Sequence, residues 1–146
     1  MPGSSANRLL NQDRLPTVST LVILASCVLV SVSSLMIWVN TDIGYSFSGR
    51  EYGGGLWTLT LAITTAVVAV LFRKNEKARR YSVIAGGGLI VCIALLHMAV
   101  VLLMRTTDLS QVIEETGELA EPSVASGLWL TLVGGVGILL GLHRKL

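Results

Sequence analysis

Charge is the feature that most constrains this chain, because it is missing over four long stretches. No Asp, Glu, Lys or Arg lies between Arg14 and Asp42, Glu51 and Arg73, Arg80 and Arg105, or Glu121 and Arg144, gaps of 27, 21, 24 and 22 residues. A helix crossing the ~30 Å hydrocarbon layer of a bilayer needs about 20 apolar residues. Four such gaps predict four spans, near 17–39, 55–72, 81–104 and 123–142. Composition agrees: 14% of the 146 residues are charged and 52% are hydrophobic, whereas soluble domains carry about 25% charge. A water-soluble enzyme and a separate globular domain are excluded on this reading. The expected fold class is an all-α membrane protein, one four-transmembrane-helix bundle over residues 1–146.

The remaining charges are sorted by sign. The segment 1–16, the loop 73–80 (Arg73-Lys74-Asn75-Glu76-Lys77-Ala78-Arg79-Arg80) and the C-terminus hold nine of the eleven basic residues and two acids. The loops 40–54 and 105–122 hold two basic residues and seven acids. Short basic loops stay cytoplasmic, so the expected location is the plasma (inner) membrane, multi-pass. Both termini and the loop 73–80 would be cytoplasmic, and 40–54 and 105–122 extracytoplasmic. The first apolar run exceeds the 7–15 residues typical of a signal core and no A-x-A site follows it, so it reads as a retained span. Trp38 closes span 1, while Trp57 and Trp129 open spans 2 and 4. All three are expected as interfacial anchors, with the indole ring buried and its N–H wet.

Gly55-Leu56-Trp57 and Gly127-Leu128-Trp129 head spans 2 and 4, so the two halves read as repeated helical hairpins. The alternative, that Gly-Leu-Trp is simply a favourable interfacial start to a helix, stays open. Lipid is as apolar as leucine, so the spans must associate through close packing and interhelical hydrogen bonds. Gly86 and Gly87 in span 3 and Gly134, Gly137 and Gly141 in span 4 are the candidate helix-packing positions, and Gly137 and Gly141 have G-x-x-x-G spacing. In the first loop, Tyr45 and Phe47 alternate with Ser46 and Ser48 before Gly53-Gly54-Gly55, the pattern of a hairpin-like cap. In the second, Leu109, Val112, Ile113 and Thr116 fall at i, i+3, i+4 and i+7, which predicts a short extracytoplasmic helix.

Chemistry is scarce. His97 is the one strongly hydrophilic ionisable side chain within a predicted span, and intramembrane ionisable residues are functional candidates. No Asp, Glu or second His stands in another span interior to relay a proton or share a metal. A neutral His97 bonded to a serine, a threonine or a backbone carbonyl is the expectation. Cys27 and Cys92 lie at comparable distances from their span starts; a shared midplane depth and simple apolar packing are both compatible with that. No catalytic set, metal site or cofactor site is expected, and no nucleic-acid partner. The lipid bilayer, and a protein partner or further copies within it, are the expected partners.

The run Trp38…Tyr45-Ser46-Phe47-Ser48-Gly49…Gly53-Gly54-Gly55-Leu56-Trp57-Thr58-Leu59 resembles one found in small uncharacterised prokaryotic four-span membrane proteins. The resemblance covers residues 38–61 and implies a multi-span fold without an assigned activity. The functional expectation is a non-enzymatic accessory or assembly subunit of a larger membrane complex. The alternative is a small oligomeric transporter or channel whose polar path runs along Thr58, Thr60, Thr64, Thr65 and Thr131. A membrane enzyme using His97 ranks last.

Overall fold

A computed structural model describes residues 18–41, 44–106 and 122–143. Four helices dominate them: α1 (Val18–Ser33), α2 (Gly54–Leu71), α3 (Glu76–Thr106) and α4 (Ser126–His143). They are joined by three short strands, β1 (Ile37–Thr41), β2 (Ser46–Ser48) and β3 (Pro122–Val124). The class is therefore mostly helical, not all-α. α2 and α3 are long and apolar enough to cross a membrane, while α1 and α4 are shorter apolar helices. The second-loop helix expected over Leu109–Thr116 lies outside the described residues.

Each helix falls within or around one charge-free gap, yet every boundary has a local cause. α1 ends at Ser33, not near Val39. The Ser33 and Ser34 hydroxyls lie 3.0 and 2.6 Å from Val30 O, which also accepts the Ser34 N–H at 2.9 Å, and local side-chain bonds of this kind compete with a continuing helix. α3 begins inside the expected 73–80 loop because Asn75 caps it: its Oδ1 accepts the Ala78 N–H at 3.2 Å, a donor the first turn leaves without a helical partner. α4 starts at Ser126 because Pro122–Val124 is a strand.

The helices form an antiparallel ring in which α1 meets α2, α2 meets α3, α3 meets α4, and α4 meets α1. One core, centred on Ile23, Cys27, Val30, Ala62, Val83, Ile90 and Ile138, fills the middle of the bundle. The sheet has order β2-β1-β3, antiparallel throughout, and caps one end. Val39 pairs with Val124, and Thr41 with Pro122; proline is tolerated there because β3 is an edge strand. A second core under the sheet joins Trp38 and Val39 to Ala94, Met98, Val101 and Leu128. At the opposite end Arg79, on the inner side of α3, reaches across the ring to donate from Nη1 to Thr20 Oγ1 of α1 at 3.3 Å. Its buried Nε has no hydrogen-bond partner among the described residues.

The fold is apolar on its outer surface as well as in its cores, and it buries hydroxyls among the core residues. Ser33, Ser34, Thr58 and Thr131 are fully buried, while Leu21, Val28, Ile63, Val67, Leu96, Leu103, Val133 and Leu140 are exposed. Serine and threonine are mostly exposed in water-soluble proteins.

Candidate functional site

The most elaborate arrangement lies where the sheet meets the bundle, and a β-bulge creates it. Along β1, Ile37 pairs with Ser48 and Val39 with Phe47, so Trp38 is the extra residue between them. A bulge re-aims a side chain; here it drives the Trp38 indole into the protein, leaving it 0% exposed. Trp38 Nε1 donates to Ser33 O at 2.9 Å, a carbonyl at the end of α1 that also accepts the Met36 N–H at 3.2 Å. Trp38 is thus no interfacial anchor, a correction to the sequence expectation: its N–H is satisfied by protein. Trp57 and Trp129 are 69% and 54% exposed, as side chains at a surface must be.

Glycines let the surrounding backbone close on this ring. A Cβ built on Gly54 would lie 2.6 Å from His97 Cε1 and Nε2 and 2.7 Å from Trp38 Cζ3. On Gly49 it would lie 2.5 Å from Trp38 Cε2, and on Gly127 it would lie 3.0 Å from Trp38 Cδ1. Gly53, at φ 84°, provides the left-handed turn into α2.

His97 stands edge-on to Trp38, with ring centroids 5.4 Å apart, and to Tyr52 at 5.5 Å. Its Nδ1 lies 2.7 Å from Ile93 O. A carbonyl only accepts, so Nδ1 carries the proton, and in the neutral ring Nε2 is the bare nitrogen against Gly54. The side chain is half-buried, and this bond is to its own helix. Burial raises the Tyr52 phenol above its ordinary pKa. Just outside, Glu51 Oε2 accepts both the Ser48 N–H and the Ser48 hydroxyl at 2.9 Å, and Ser48 Oγ accepts the Glu51 N–H at 3.3 Å. These bonds hold the Glu51 carboxyl below the usual range. The Ser-x-x-Glu reciprocity has the form of a capping box and fixes the turn that carries Tyr52.

Beneath Trp38, hydroxyls tie three helices together. Ser33 Oγ lies 2.8 Å from Thr131 Oγ1 of α4, and Ser34 Oγ lies 2.7 Å from Thr58 Oγ1 of α2. Thr131 Oγ1 also lies 2.8 Å from Gly127 O, and when it donates there the Ser33 hydroxyl supplies the proton between the two side chains. Thr60 and Thr64 point outward and bond to carbonyls of their own helix. The five threonines offered as a polar path are thus split between the two faces of α2 and the inside of α4.

The other sequence-selected residues lie at helix crossings. Gly86 packs on the Thr65 hydroxyl, and a Cβ on Gly87 would lie 3.0 Å from Ile138 Cγ2. Gly134, Gly137 and Gly141 face α1, with built Cβ distances of 2.6 Å to Val30 Cγ2, 2.5 Å to Ser26 Oγ and 2.7 Å to Ile23 Cγ1. Ser19 Oγ donates to Gly141 O at 2.5 Å in the same crossing. Cys27 and Cys92 are free and are not brought together: Cys27 is in the core and Cys92 is on the outer face of α3. Among the described residues no three His, Cys, Asp or Glu side chains gather as a metal-binding group. Gly-Leu-Trp behaves alike in part at its two occurrences. Gly55 and Gly127 are buried and both tryptophans exposed, but Leu56 is exposed and Leu128 buried.

Sequence reasoning missed Tyr52, Gly49, Gly54 and β3. The signal for the bulged strand was Ile37-Trp38-Val39, a β-favouring cluster concealed at the end of an apolar run. Compared with known protein families, curated proteins and solved structures, this chain matches none.

Proposed function

We propose that this chain is a four-span membrane protein acting as a non-enzymatic accessory or assembly subunit of a larger plasma-membrane complex. The observation that carries the reading is the apolar outer surface, set around helices whose apolar core also buries bonded hydroxyls. A broad surface of leucine, valine and isoleucine costs free energy in water and is neutral to favourable in lipid, where buried serine, threonine and glycine contacts between helices supply the association. The sign asymmetry of the charged segments supports an orientation with the Arg73–Arg80 turn in the cytoplasm and the sheet outside.

The same interior supports a role based on outward contacts. Ser33, Ser34, Thr58 and Thr131 are bonded to one another and to helix carbonyls, so they act as interhelical glue. Beyond the helices, the edge strand β2 and the residue before it present exposed Phe47 and Tyr45, apolar area that a lipid-facing belt does not account for and that a protein partner would cover.

Two measurements test the reading. In a chain with Cys27→Ala and Cys92→Ala, an impermeant maleimide applied to intact cells should label Tyr45→Cys and leave Lys77→Cys unlabelled until the cells are lysed. Labelling of Lys77→Cys in intact cells overturns the orientation. The chain extracted from its own membrane in mild detergent should then run as a particle heavier than one copy in its micelle. A single copy without a protein companion removes the assembly role.

A further inference from the structure

The α2–α3 turn, at the end of the bundle away from the sheet, has Arg73, Lys74, Lys77, Arg79 and Arg80 within eight residues. These cations do not share one environment. Arg79 is turned inward and tied to Thr20. Lys77, Arg80, Tyr81 and Ile84 fall at i, i+3, i+4 and i+7, which places them on one stripe of α3. All four are exposed. From the bundle end inward the stripe thus runs from two cations to a phenol and then to aliphatic surface. Across the turn, Leu71 and Phe72 of the α2 end are exposed as well.

We propose that this stripe binds an anionic phospholipid, with the phosphate between Lys77 and Arg80 and the glycerol and acyl region along Tyr81 and Ile84. The inference rests on the membrane reading above. Charge complementarity selects an anion, because basic side chains at a membrane surface attract acidic headgroups. Continuity selects a lipid over a free anion: the cations pass directly into apolar surface, which inorganic phosphate would leave uncovered and an acyl chain would cover. Tyr81 stands at the boundary, where an aromatic with a polar tip is favoured. Arg79 acts as a positioning residue, since its bond to Thr20 ties the first turn of α3 to α1.

The full chain in mild detergent is offered equal amounts of phosphatidylglycerol and phosphatidylcholine with matched acyl chains, and retained lipid is read by native mass spectrometry. Each basic residue at the surface is worth about fivefold in binding, so phosphatidylglycerol should be preferred about 25-fold. Lys77→Gln with Arg80→Gln should lower the preference to about twofold or less, whereas Lys74→Gln and the charge-keeping Arg80→Lys should retain most of it. Equal retention of both lipids by the unaltered chain overturns the site, as does an undiminished preference in the double variant. Protection against thermal unfolding by inorganic phosphate equal to that by phosphatidylglycerol also overturns it, in favour of a free-anion site. An alkaline carbonate wash separates this proposal from its premise. A chain that stays in the washed membrane yet shows no lipid preference defeats the site alone; a chain released by the wash defeats the membrane reading and the site with it.

Discussion

Replacing Gly54 by alanine sets two effects of opposite sign against each other. Alanine is the better helix former by up to ~1 kcal/mol in a helix interior, and by less at the first helical position. Gly54 opens α2, so the gain there is small. Against it stands the new methyl, which would lie 2.6 Å from two atoms of His97 and 2.7 Å from Trp38. Neither ring can readily retreat. Trp38 is held by its bulge and its bond to Ser33 O, and His97 by Nδ1 on Ile93 O. Over-packing of a filled site costs about 1–3 kcal/mol, so Gly54→Ala should destabilise by a net ~1–2 kcal/mol. Reversible unfolding in mixed micelles, followed through the helical circular-dichroism signal, measures it. In a His97→Ala background part of the clash is gone, and the cost should fall by about 1 kcal/mol, the coupling expected of residues in contact. An unchanged cost in both backgrounds, or a stabilised single variant, would mean that the imidazole does not lie against α2.

The Ser34–Thr58 bond predicts a coupling of ~0.6 kcal/mol in a Ser34→Ala, Thr58→Val cycle, the average for interhelical side-chain hydrogen bonds in a membrane, and at most ~1.7 kcal/mol; strictly additive losses would remove that bond from the account. Gly86→Ala should destabilise, because its Cβ would strike the Thr65 hydroxyl. Gly88→Ala, where nothing lies within 4 Å, should stabilise by up to ~1 kcal/mol through helix propensity; thermal melts in detergent that reverse this order refute the packing. Glu51 has a folded-state pKa below its unfolded value, so its contribution to the turn is complete above the unfolded pKa and disappears as pH falls through the folded one. Protection of the Ser48 amide relative to its intrinsic exchange rate should therefore fall as pH drops through the folded-state pKa and lose that acid dependence in Glu51→Gln; an identical acid profile in the variant counts against the carboxylate bond.

Parts of the fold and of the candidate site were legible locally. A charge in hydrocarbon is costly, so the absence of charge along the chain marks where α1, α2, α3 and α4 run without any knowledge of their neighbours. The glycines at 86, 87, 134, 137 and 141 could be singled out because a helix tolerates the lost propensity only in return for close approach. His97 stood out as an ionisable group in an apolar run, but its surroundings did not. Tyr52 and Gly54 carry no intrinsic mark, and they meet His97 only because the Ser48–Glu51 turn and the left-handed Gly53 bring the start of α2 beneath the sheet.

Hydropathy along the chain thus fixed the four helical segments, because burial in lipid or in a core is a property each residue carries with it. Tertiary structure decided that Ile37–Thr41 leaves the helix for a strand and that β3, some 80 residues later, completes its sheet. It also decided that the bulge turns Trp38 inward. Strand pairing and a ring's final orientation depend on partners distant in sequence, and no run of neighbouring residues encodes them.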